Sequence, residues 1–338
     1  MVTKEILRGK IASLIDPTCN KPLEETGGIR YVGIDDKTNR AILIIALKNK
    51  ESELVKQFKI SLTKLVKLEL GFKGLKLEIE NLQEKEKDTI LDKKRKVRYI
   101  GIASGKGGVG KSTVTANLAV TFARLGHKVG LIDADIYGPS IPNVMDMEIV
   151  SPKGTSDEKI IPFEKNNVQI ISTAFLIEDN RPLMWRGPML HKVLELFFYN
   201  VVWDDNIEYI FVDLPPGTGD VALDIQSLIP QCEIIVITTP HPTASRIAVK
   251  AGFGAKQLNH SIIGVIENMS YFKNPENQNH ELIFGEGGGV SVAKKLNVEL
   301  LGKLEIAQPK GKHHSIFETD EPNGLEYLSI AKQILQLR

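Results

Sequence analysis

Apolar positions recur with two different periods along the first part of this chain. Over residues 4–15 and 52–68 they return every three or four positions, which predicts two amphipathic helices. Shorter apolar runs predict three strands, at residues 29–34, 40–47 and 74–79. The order helix, strand, strand, helix, strand predicts a small α+β domain over residues 1–80.

Residues 98–338 alternate between apolar runs of strand length and longer segments with helical spacing. Strands are predicted at 99–103, 128–132, 168–172, 209–212, 233–238, 261–266 and 298–304. Helices are predicted over 114–125 and 190–199, between Pro240 and Leu258, and over 325–337. This alternation predicts an α/β domain with a mainly parallel sheet and helices on both faces. Ligands of such sheets bind beyond the carboxyl ends of the strands.

Residues 81–97 are rich in charge and poor in apolar side chains, which predicts a solvated linker between the two domains. Within this stretch, the basic run 93–96 could contact the phosphates of a nucleic acid. No aromatic residue is interleaved with the run, so a linker is the favoured interpretation.

The net charge of +1 over 338 residues is unevenly distributed. Residues 1–80 hold 15 Lys and Arg against 11 Asp and Glu, net +4, whereas residues 99–338 hold 21 against 27, net −6. The basic front part could bind an anionic partner such as DNA, but solvated lysine-rich faces explain the same counts and are favoured.

The composition predicts a soluble protein of the cytoplasm. No run of about 18 apolar residues predicts a membrane-spanning helix. The N-terminus lacks the apolar segment of a signal peptide. The two cysteines, Cys19 and Cys232, lie far apart in sequence, which favours a reducing compartment and no disulfide framework.

The stretch from Gly105 to Thr113 matches the phosphate-binding pattern G-x-x-x-x-G-K-[ST], between a predicted strand and a predicted helix. Free N–H groups at a helix N-terminus attract anions, and glycines let these groups approach a phosphate closely. We expect Lys111 to reach the β- and γ-phosphates and the Ser112 hydroxyl to bind Mg²⁺. The predicted nucleotide-binding residues of this loop are Gly105, Gly107, Gly108, Val109, Gly110, Lys111, Ser112 and Thr113.

Polar side chains follow several of the other predicted strands. Asp213 ends the strand 209–212 in the Walker-B arrangement, in which an acid holds the Mg²⁺ shell. Asp133 and Asp135 occupy alternate positions, so both carboxylates could point to the phosphates; a turn or helix cap is the alternative. Asn268 ends a later strand, where its amide could bind an adenine edge or form a turn.

Lys106 is a second lysine that the general phosphate-binding pattern does not require. The run Lys-Gly-Gly-Val-Gly-Lys-Ser-Thr at 106–113 resembles the deviant P-loop of the ParA/MinD/nitrogenase-iron-protein superfamily. That resemblance implies a homodimer with ATP held between the subunits, in which Lys106 contacts the nucleotide of the partner subunit.

The same resemblance implies roles for the remaining polar residues. Asp135 would orient the attacking water, and Asp133 would support Mg²⁺ or its loop. The amide of Gly217 would sense the γ-phosphate, and Asn268 would recognise the base. The implied catalytic residues are Lys106, Lys111 and Asp135. The implied Mg²⁺ residues are Ser112, Asp133 and Asp213.

Four segments make the resemblance more specific. They are Asp133-Ala134-Asp135-Ile136-Tyr137-Gly138-Pro139-Ser140, Trp185-Arg186-Gly187-Pro188-Met189, Asp213-Leu214-Pro215-Pro216-Gly217-Thr218-Gly219-Asp220 and Glu267-Asn268-Met269-Ser270. Together they resemble the Mrp/ApbC/Nbp branch of P-loop ATPases, whose members carry iron–sulfur clusters to apoproteins. The element order of residues 1–80 is similar to the small domain that precedes the ATPase in that branch.

The chain departs from this branch at one place. Members of the branch have a Cys-Pro-x-Cys pair in each subunit. The four thiolates of a dimer then hold a bridging [4Fe–4S] cluster. Asn274 and Asn277 stand at the two cysteine positions. Neutral amides do not replace thiolates on iron–sulfur cores, so we expect no iron–sulfur ligand here.

The sequence therefore predicts a slow, Mg²⁺-dependent ATPase that acts as a homodimeric switch, with ATP and Mg²⁺ as cofactors. By resemblance it is an iron–sulfur cluster carrier that serves an apoprotein client. The alternative is a cluster-independent, ATP-gated regulator that binds a protein partner or DNA. A nitrogenase-reductase-like electron-transfer role is disfavoured by the missing cysteines, and a kinase or ligase role lacks a visible acceptor site.

Overall fold

The architecture is that of a computed structural model of the chain. It describes residues 3–35, 38–82, 89–92, 95–136, 138–156, 159–176, 187–217, 224–225, 227–311 and 315–337, without the side chains of residues 187–190. The chain divides into two compact units: Met1–Lys87 with Met184–Lys192, and Asp88–Leu183 with Val193–Arg338. The predicted boundaries, 1–80, 81–97 and 98–338, did not include residues 184–192 in the first unit, and they stay a prediction. Linker residues 83–88 and 93–94 lie outside the described part.

The first unit contains short helices and a three-stranded sheet. Its elements are α1 Lys4–Ala12, β1 Ile15–Asp16, β2 Lys21–Pro22, α2 Leu23–Thr26, β3 Ile29–Asp35, β4 Arg40–Leu47, α3 Leu54–Lys64 and β5 Gly74–Asn81. A π-helical turn, Leu65–Glu69, extends α3. The sheet order is β3-β4-β5, with β3 antiparallel and β5 parallel to β4.

The helix predicted over 4–15 ends at Ala12, three residues earlier. Asp16 is fully buried, and its carboxylate accepts hydrogen bonds from the backbone N–H groups of Thr18 (2.8 Å) and Lys48 (3.0 Å). A buried carboxylate needs such donors, so the chain leaves the helix early and brings Asp16 to the end of β4. This long-range requirement is invisible in the helical spacing of the sequence.

The second unit contains the larger sheet. Its strands are β6 Arg98–Ser104, β7 Val129–Asp133, β8 Phe163–Lys165, β9 Val168–Ser172, β10 Tyr209–Asp213, β11 Glu233–Thr238, β12 Ser261–Glu267, β13 Phe272–Lys273, β14 His280–Glu281 and β15 Leu300–Lys303. Its helices are α4 Lys111–Arg124, α5 Ile141–Val144, α6 Gly187–Tyr199, α7 Pro242–Gln257, α8 Gly288–Leu296 and α9 Pro322–Gln336. The division between the two units falls inside α6.

Eight strands form one sheet in the order β15-β12-β11-β6-β10-β7-β9-β8. Every neighbouring pair is parallel except the edge pair β8-β9. The α/β fold class with a mainly parallel sheet is therefore confirmed. The edge strand β8 was not predicted, because three residues carry almost no periodic signal.

The core of the second unit explains why its strands read as continuous apolar runs. Residues of β6, β10 and β11 are buried on both faces of the sheet, as parallel strands covered by helices must be. Phe122 of α4 packs edge-on against Tyr209 and Phe211 of β10 at ring-centroid distances of 4.9 and 5.1 Å. This packing fixes α4 over the centre of the sheet, with its N-terminus at the carboxyl ends of β6 and β10.

Candidate nucleotide-binding site

The glycine-rich loop connects the end of β6 to the start of α4. Gly108 and Gly110 have φ angles of 80° and 83°, in the left-handed region that glycine adopts without strain. Gly110 immediately precedes the helix, which begins at Lys111. The first N–H groups of α4 lack intrahelical acceptors and carry the positive end of the helix dipole. The loop geometry is therefore suited to bind phosphate.

Lys111 lies inside the site, not in solvent. Its side chain is buried, and Nζ is 2.7 Å from Oδ2 of Asp213 and 3.3 Å from Oδ2 of Asp135. Residues from the ends of three different segments, α4, β10 and the loop after β7, thus meet at one cation. The sequence predicted these three residues as members of one site, and the structure brings them together.

Asp213 is fully buried and has a partner at each oxygen. Its Oδ2 also accepts the hydroxyl of Ser112 at 2.6 Å, and its Oδ1 accepts the hydroxyl of Thr115 at 2.7 Å. Sequence reasoning missed Thr115; its position one helical turn after Lys111, on the same face of the helix, was the available signal.

The donor set of this site is suited to Mg²⁺, because carboxylate and hydroxyl oxygens are the hard ligands that this ion prefers. Ser112 and Asp213 already lie within 2.6 Å of each other. Magnesium sites at nucleotides usually use one or two protein oxygens besides phosphates and waters. Among the described residues, no three or more His, Cys, Asp or Glu side chains are arranged to hold a metal by themselves.

Asp133 and Asp135 have different environments, although both were predicted to point to the phosphates. Asp133 is fully buried; its Oδ2 accepts the hydroxyl of Ser172 (2.9 Å) and the N–H of Ile141 (3.2 Å). Its Oδ1 accepts the N–H of Asp135 (3.2 Å). Asp133 therefore ties the loop after β7 to β9 and α5, while Asp135 contacts Lys111.

Burial dominates the electrostatics of these two acids. It raises the pKa of Asp133 above its usual range, and the charge of nearby Asp213 raises it further. Burial also raises the pKa of Asp135, and the Lys111 ammonium opposes this shift. Burial thus disfavours the charged form of both acids, while hydrogen bonds to Asp133 and the ammonium beside Asp135 favour it.

Gly217 lies at the entrance of the loop after β10. Its N–H donates to the carbonyl of Ser104, the last residue of β6, at 2.8 Å, and its φ of 95° requires glycine. The loop is thereby held against the strand that leads into the phosphate-binding loop. Residues 218–220 of the segment 213–220, together with Tyr137 and residues 185–186 of the other resemblance segments, lie outside the described residues.

Asn268 contacts the phosphate-binding loop itself. Its Nδ2 donates to the carbonyl of Val109 at 2.9 Å. A Cβ added to Gly110 would lie 2.2 Å from this Nδ2, so the amide closes directly on the glycine. Base recognition by Asn268 remains a prediction, but its side chain is within the candidate site.

Lys106 and Lys111 lie in different environments. The side chain of Lys106 is exposed, in contrast to the buried Lys111 five residues later. Its main-chain carbonyl accepts the Ser104 hydroxyl at 3.1 Å, which holds the backbone while leaving the ammonium in solvent.

The segment that contains Asn274 and Asn277 forms the β13-β14 hairpin. Oδ1 of Asn274 accepts the N–H of Glu276 at 2.9 Å, and its Nδ2 donates to Glu281. Oδ1 of Asn277 accepts the N–H of Asn279 at 2.9 Å. Both amides thus close turns of the hairpin through their own side chains, as asparagine commonly does.

Both thiols of the chain lie far from this hairpin in sequence. Cys19 is half-buried in the first unit. Cys232 is buried at the start of β11, and burial raises the pKa of its thiol to about 12. A thiol with so high a pKa is a small apolar core residue and a poor ligand.

The glycine-rich stretch 285–289 leads from the β13-β14 hairpin into α8. Its last two residues begin α8 and are buried. A Cβ on Gly288 would lie 2.5 Å from the carbonyl oxygen of Pro240, and one on Gly289 would lie 2.6 Å from Cβ of Glu267. These glycines permit α8 to pack directly on the ends of β11 and β12.

A family model described as "ParA: NUBPL iron-transfer P-loop NTPase" matches residues 95–335. The chain belongs to this family of P-loop NTPases. It is 39% identical over 348 residues to an iron-sulfur cluster carrier protein of Bacillus subtilis, an alignment that covers 99% of this chain and 98% of that protein. It is 35% identical to an iron-sulfur cluster carrier protein of Mycobacterium leprae, over 97% of this chain and 91% of the other.

Two solved structures are similar to about 70% of the chain. A nucleotide-binding protein of Archaeoglobus fulgidus in complex with ADP is similar with a TM-score of 0.52 and 29% identity, over 70% of this chain and 87% of that one. MinD of Pyrococcus horikoshii, complexed with Mg-ADP, has the same fold, with a TM-score of 0.52, 22% identity and coverages of 71% and 97%. Both the fold and the family predicted from the motifs are confirmed. In the described part of the chain, no helix combines the length and apolarity that a membrane crossing requires.

Proposed function

We propose that this protein is an ATP-hydrolysing switch that works as a homodimer in iron–sulfur cluster carriage in the cytoplasm. The observation that carries the proposal is the convergence of Lys111, Ser112 and Asp213 at the N-terminus of α4, with Asp135 on the same lysine. This arrangement combines a phosphate-binding helix end, a cation and hard oxygen ligands. The relatives named iron-sulfur cluster carrier proteins, which match along nearly the whole chain, support the cargo.

In the proposed mechanism, the phosphates of ATP lie against the N–H groups of the loop and Lys111. Ser112 and Asp213 would hold Mg²⁺, which neutralises charge on the β- and γ-phosphates. Asp135 would orient the attacking water, since it is the acid whose carboxylate reaches the site without being tied to neighbouring strands. Hydrolysis is proposed to be slow, because the site is that of a switch.

The conformational part of the switch is assigned to Gly217. Its N–H now donates to Ser104. For that N–H to sense the γ-phosphate, it would leave the Ser104 carbonyl and pull the loop after β10 toward the nucleotide. Exchange of the Ser104 carbonyl for a phosphate oxygen as the acceptor of this N–H would cost little free energy. The presence of the γ-phosphate could therefore determine the position of the loop.

The dimer is assigned to Lys106. Lys106 is exposed, whereas Lys111 of the same loop is buried and would bind the phosphates of its own subunit. The exposed ammonium of Lys106 would therefore be available to a phosphate bound by the partner subunit. The resemblance to the superfamily with this second lysine supports the homodimer with ATP at its interface.

The position expected to hold the cargo departs from the family pattern at Asn274 and Asn277. The cluster would be the cargo of the carrier, but the residues at the expected position are asparagines whose amides close a hairpin. These groups do not fit an iron–sulfur core, so no ligation step is assigned to them. This observation favours a second candidate function, in which the same ATP switch regulates a protein partner or DNA without carrying a cluster.

A direct test of the proposal is ATP hydrolysis by Lys111→Ala. Removing the buried cation of the phosphate site should lower the rate at least about a hundredfold and weaken ATP binding sharply. Lys56→Ala, on the exposed side of α3 in the other unit, is the matched control and should hydrolyse ATP normally. Full activity in Lys111→Ala would exclude the assignment.

A further inference from the structure

Glu267, the last residue of β12, is a buried carboxylate outside the phosphate site. It is 1% exposed, and its Oε1 lies 3.0 Å from the hydroxyl of Ser270. Its Oε2 accepts the N–H of Gly289, the second residue of α8. Among the described residues its side-chain partners are therefore a hydroxyl and a helix N-terminus, with no cation.

These two partners lie at opposite ends of one excursion of the chain. Residues 271–288, here named the hairpin segment, run from Ser270, three residues after the end of β12, to Gly289 in the first turn of α8. All residues from 275 to 287 are exposed, and Leu282, Ile283 and Phe284 form an apolar run on its surface. One carboxylate thus holds both ends of an otherwise solvated segment.

Loss of either contact, with Ser270 or with Gly289, would be costly for Glu267. An ionised carboxylate without donors is costly inside a protein, and a negative charge at the N-terminus of α8 is stabilised by the helix dipole. Gly289 approaches so closely that a Cβ there would lie 2.6 Å from Cβ of Glu267. Movement of Glu267 must therefore displace α8, the hairpin segment, or both.

The neighbour of Glu267 in the chain is in the nucleotide site. Asn268 donates to the carbonyl of Val109 and lies against Gly110, while its own N–H donates to the Thr238 carbonyl at the end of β11. Glu267 and Asn268 are consecutive residues, so one short stretch of backbone connects the contact with the phosphate-binding loop to the contacts with Ser270 and Gly289.

We propose that Glu267 is a positioning residue through which nucleotide binding sets the position of the hairpin segment and its apolar run. This inference rests on the proposed nucleotide-binding function and adds its route of regulation. The hairpin segment is the element that responds, and the Glu267 carboxylate connects it to the nucleotide site.

The test is hydrogen–deuterium exchange of the full-length protein with and without saturating Mg-ADP, with ADP affinity measured by calorimetry. In the wild type, Mg-ADP should slow the exchange of amides in residues 271–288 by at least about fivefold. Glu267→Gln should still bind ADP within about threefold of wild type but lose this difference, since Gln presents an N–H group to one of the two donors. A purely structural role would raise exchange equally with and without ADP and would leave the difference intact.

Two further variants make the test decisive. Ser270→Ala removes one hydrogen bond to Glu267 and keeps the contact with α8, so it should reduce the ADP-dependent difference in exchange. This variant replaces Glu267→Gln in the test if Glu267→Gln does not fold. Glu281→Gln changes an exposed carboxylate inside the same segment and should keep the full difference. An unchanged difference in both Glu267→Gln and Ser270→Ala, or no ADP effect on the segment in a wild type that binds ADP, would overturn the inference. A wild type that does not bind ADP would instead exclude the proposed function.

Discussion

The hydroxyl of Thr115 donates to Oδ1 of Asp213, 98 positions later in the chain, at 2.7 Å. The same hydroxyl lies 2.9 Å from the carbonyl oxygen of Lys111 in the preceding helical turn. Thr115 thus occupies the carboxylate oxygen that neither Lys111 nor Ser112 contacts. The acid of the site is oriented from both sides by a single helix, α4.

We expect Thr115→Val to destabilise the protein by about 1.5–3 kcal/mol, because it leaves one oxygen of a buried charged carboxylate without a donor. Thr121→Val is the matched control: Thr121 is a buried threonine of the same helix whose hydroxyl donates to the Asn117 carbonyl. Its replacement should cost about 0.5–1.5 kcal/mol. Urea unfolding of both variants measures the difference, and equal costs would show that Asp213 does not depend on Thr115.

Lys106 and Asp135 should complement each other between subunits. Neither Lys106→Ala nor Asp135→Ala homodimers should hydrolyse ATP at the wild-type rate, but a mixture should recover part of the activity. Each mixed dimer can then form one composite site in which both residues are present. Normal hydrolysis by Lys106→Ala alone would contradict the sandwiched dimer, and light scattering with ATP would show whether Asp135→Ala dimerises.

The stability of the protein should fall as the pH falls below about 6.5, with His260 as one contributor. Burial lowers the pKa of His260, whose Nδ1 lies 3.0 Å from the Cys232 carbonyl. The unfolded chain therefore binds a proton at a higher pH than the folded one, so the stability present above the unfolded pKa is lost on acidification. Urea unfolding from about pH 5 to about pH 8, the range in which histidine titrates, measures how the free energy of unfolding changes with pH. His260→Gln should reduce the slope; an identical slope would exclude His260 as a contributor.

The hairpin of Asn274 and Asn277 should not hold a cluster. We expect the wild-type protein, reconstituted without oxygen, to contain far less than one [4Fe–4S] cluster per dimer, because its amides are engaged in turns and are not soft ligands. Asn274→Cys with Asn277→Cys should raise the occupancy. Iron, sulfide and visible absorption provide the measurement.

The control for that experiment is Cys19→Ser with Cys232→Ser. These thiols lie in different units, and Cys232 is buried. A full cluster in the wild type that disappears in this variant would show that the two native thiols are ligands after all. Carriage would then use a different ligand set from that of the related ATPases.

The sequence by itself determined the elements that depend on local spacing. The phosphate-binding loop, the buried strands 209–213 and 233–238 and the helix after the loop were recognisable because their signals lie within a few neighbouring residues. Parallel strands that carry polar residues at their carboxyl ends also place those residues at one edge of the sheet. Grouping Lys111, Asp135 and Asp213 into one site was therefore possible without coordinates.

Only the tertiary structure decided which side chains satisfy one another across long distances in the chain. Asp133 accepts a hydrogen bond from Ser172, and Asp213 accepts one from Thr115. Glu267 is hydrogen-bonded at both ends of the hairpin segment. A buried carboxylate must find donors wherever the fold supplies them, and no sequence period encodes that choice. The short strands β8, β13 and β14 were missed for a related reason, because two or three residues take their conformation from their partners and not from their own pattern.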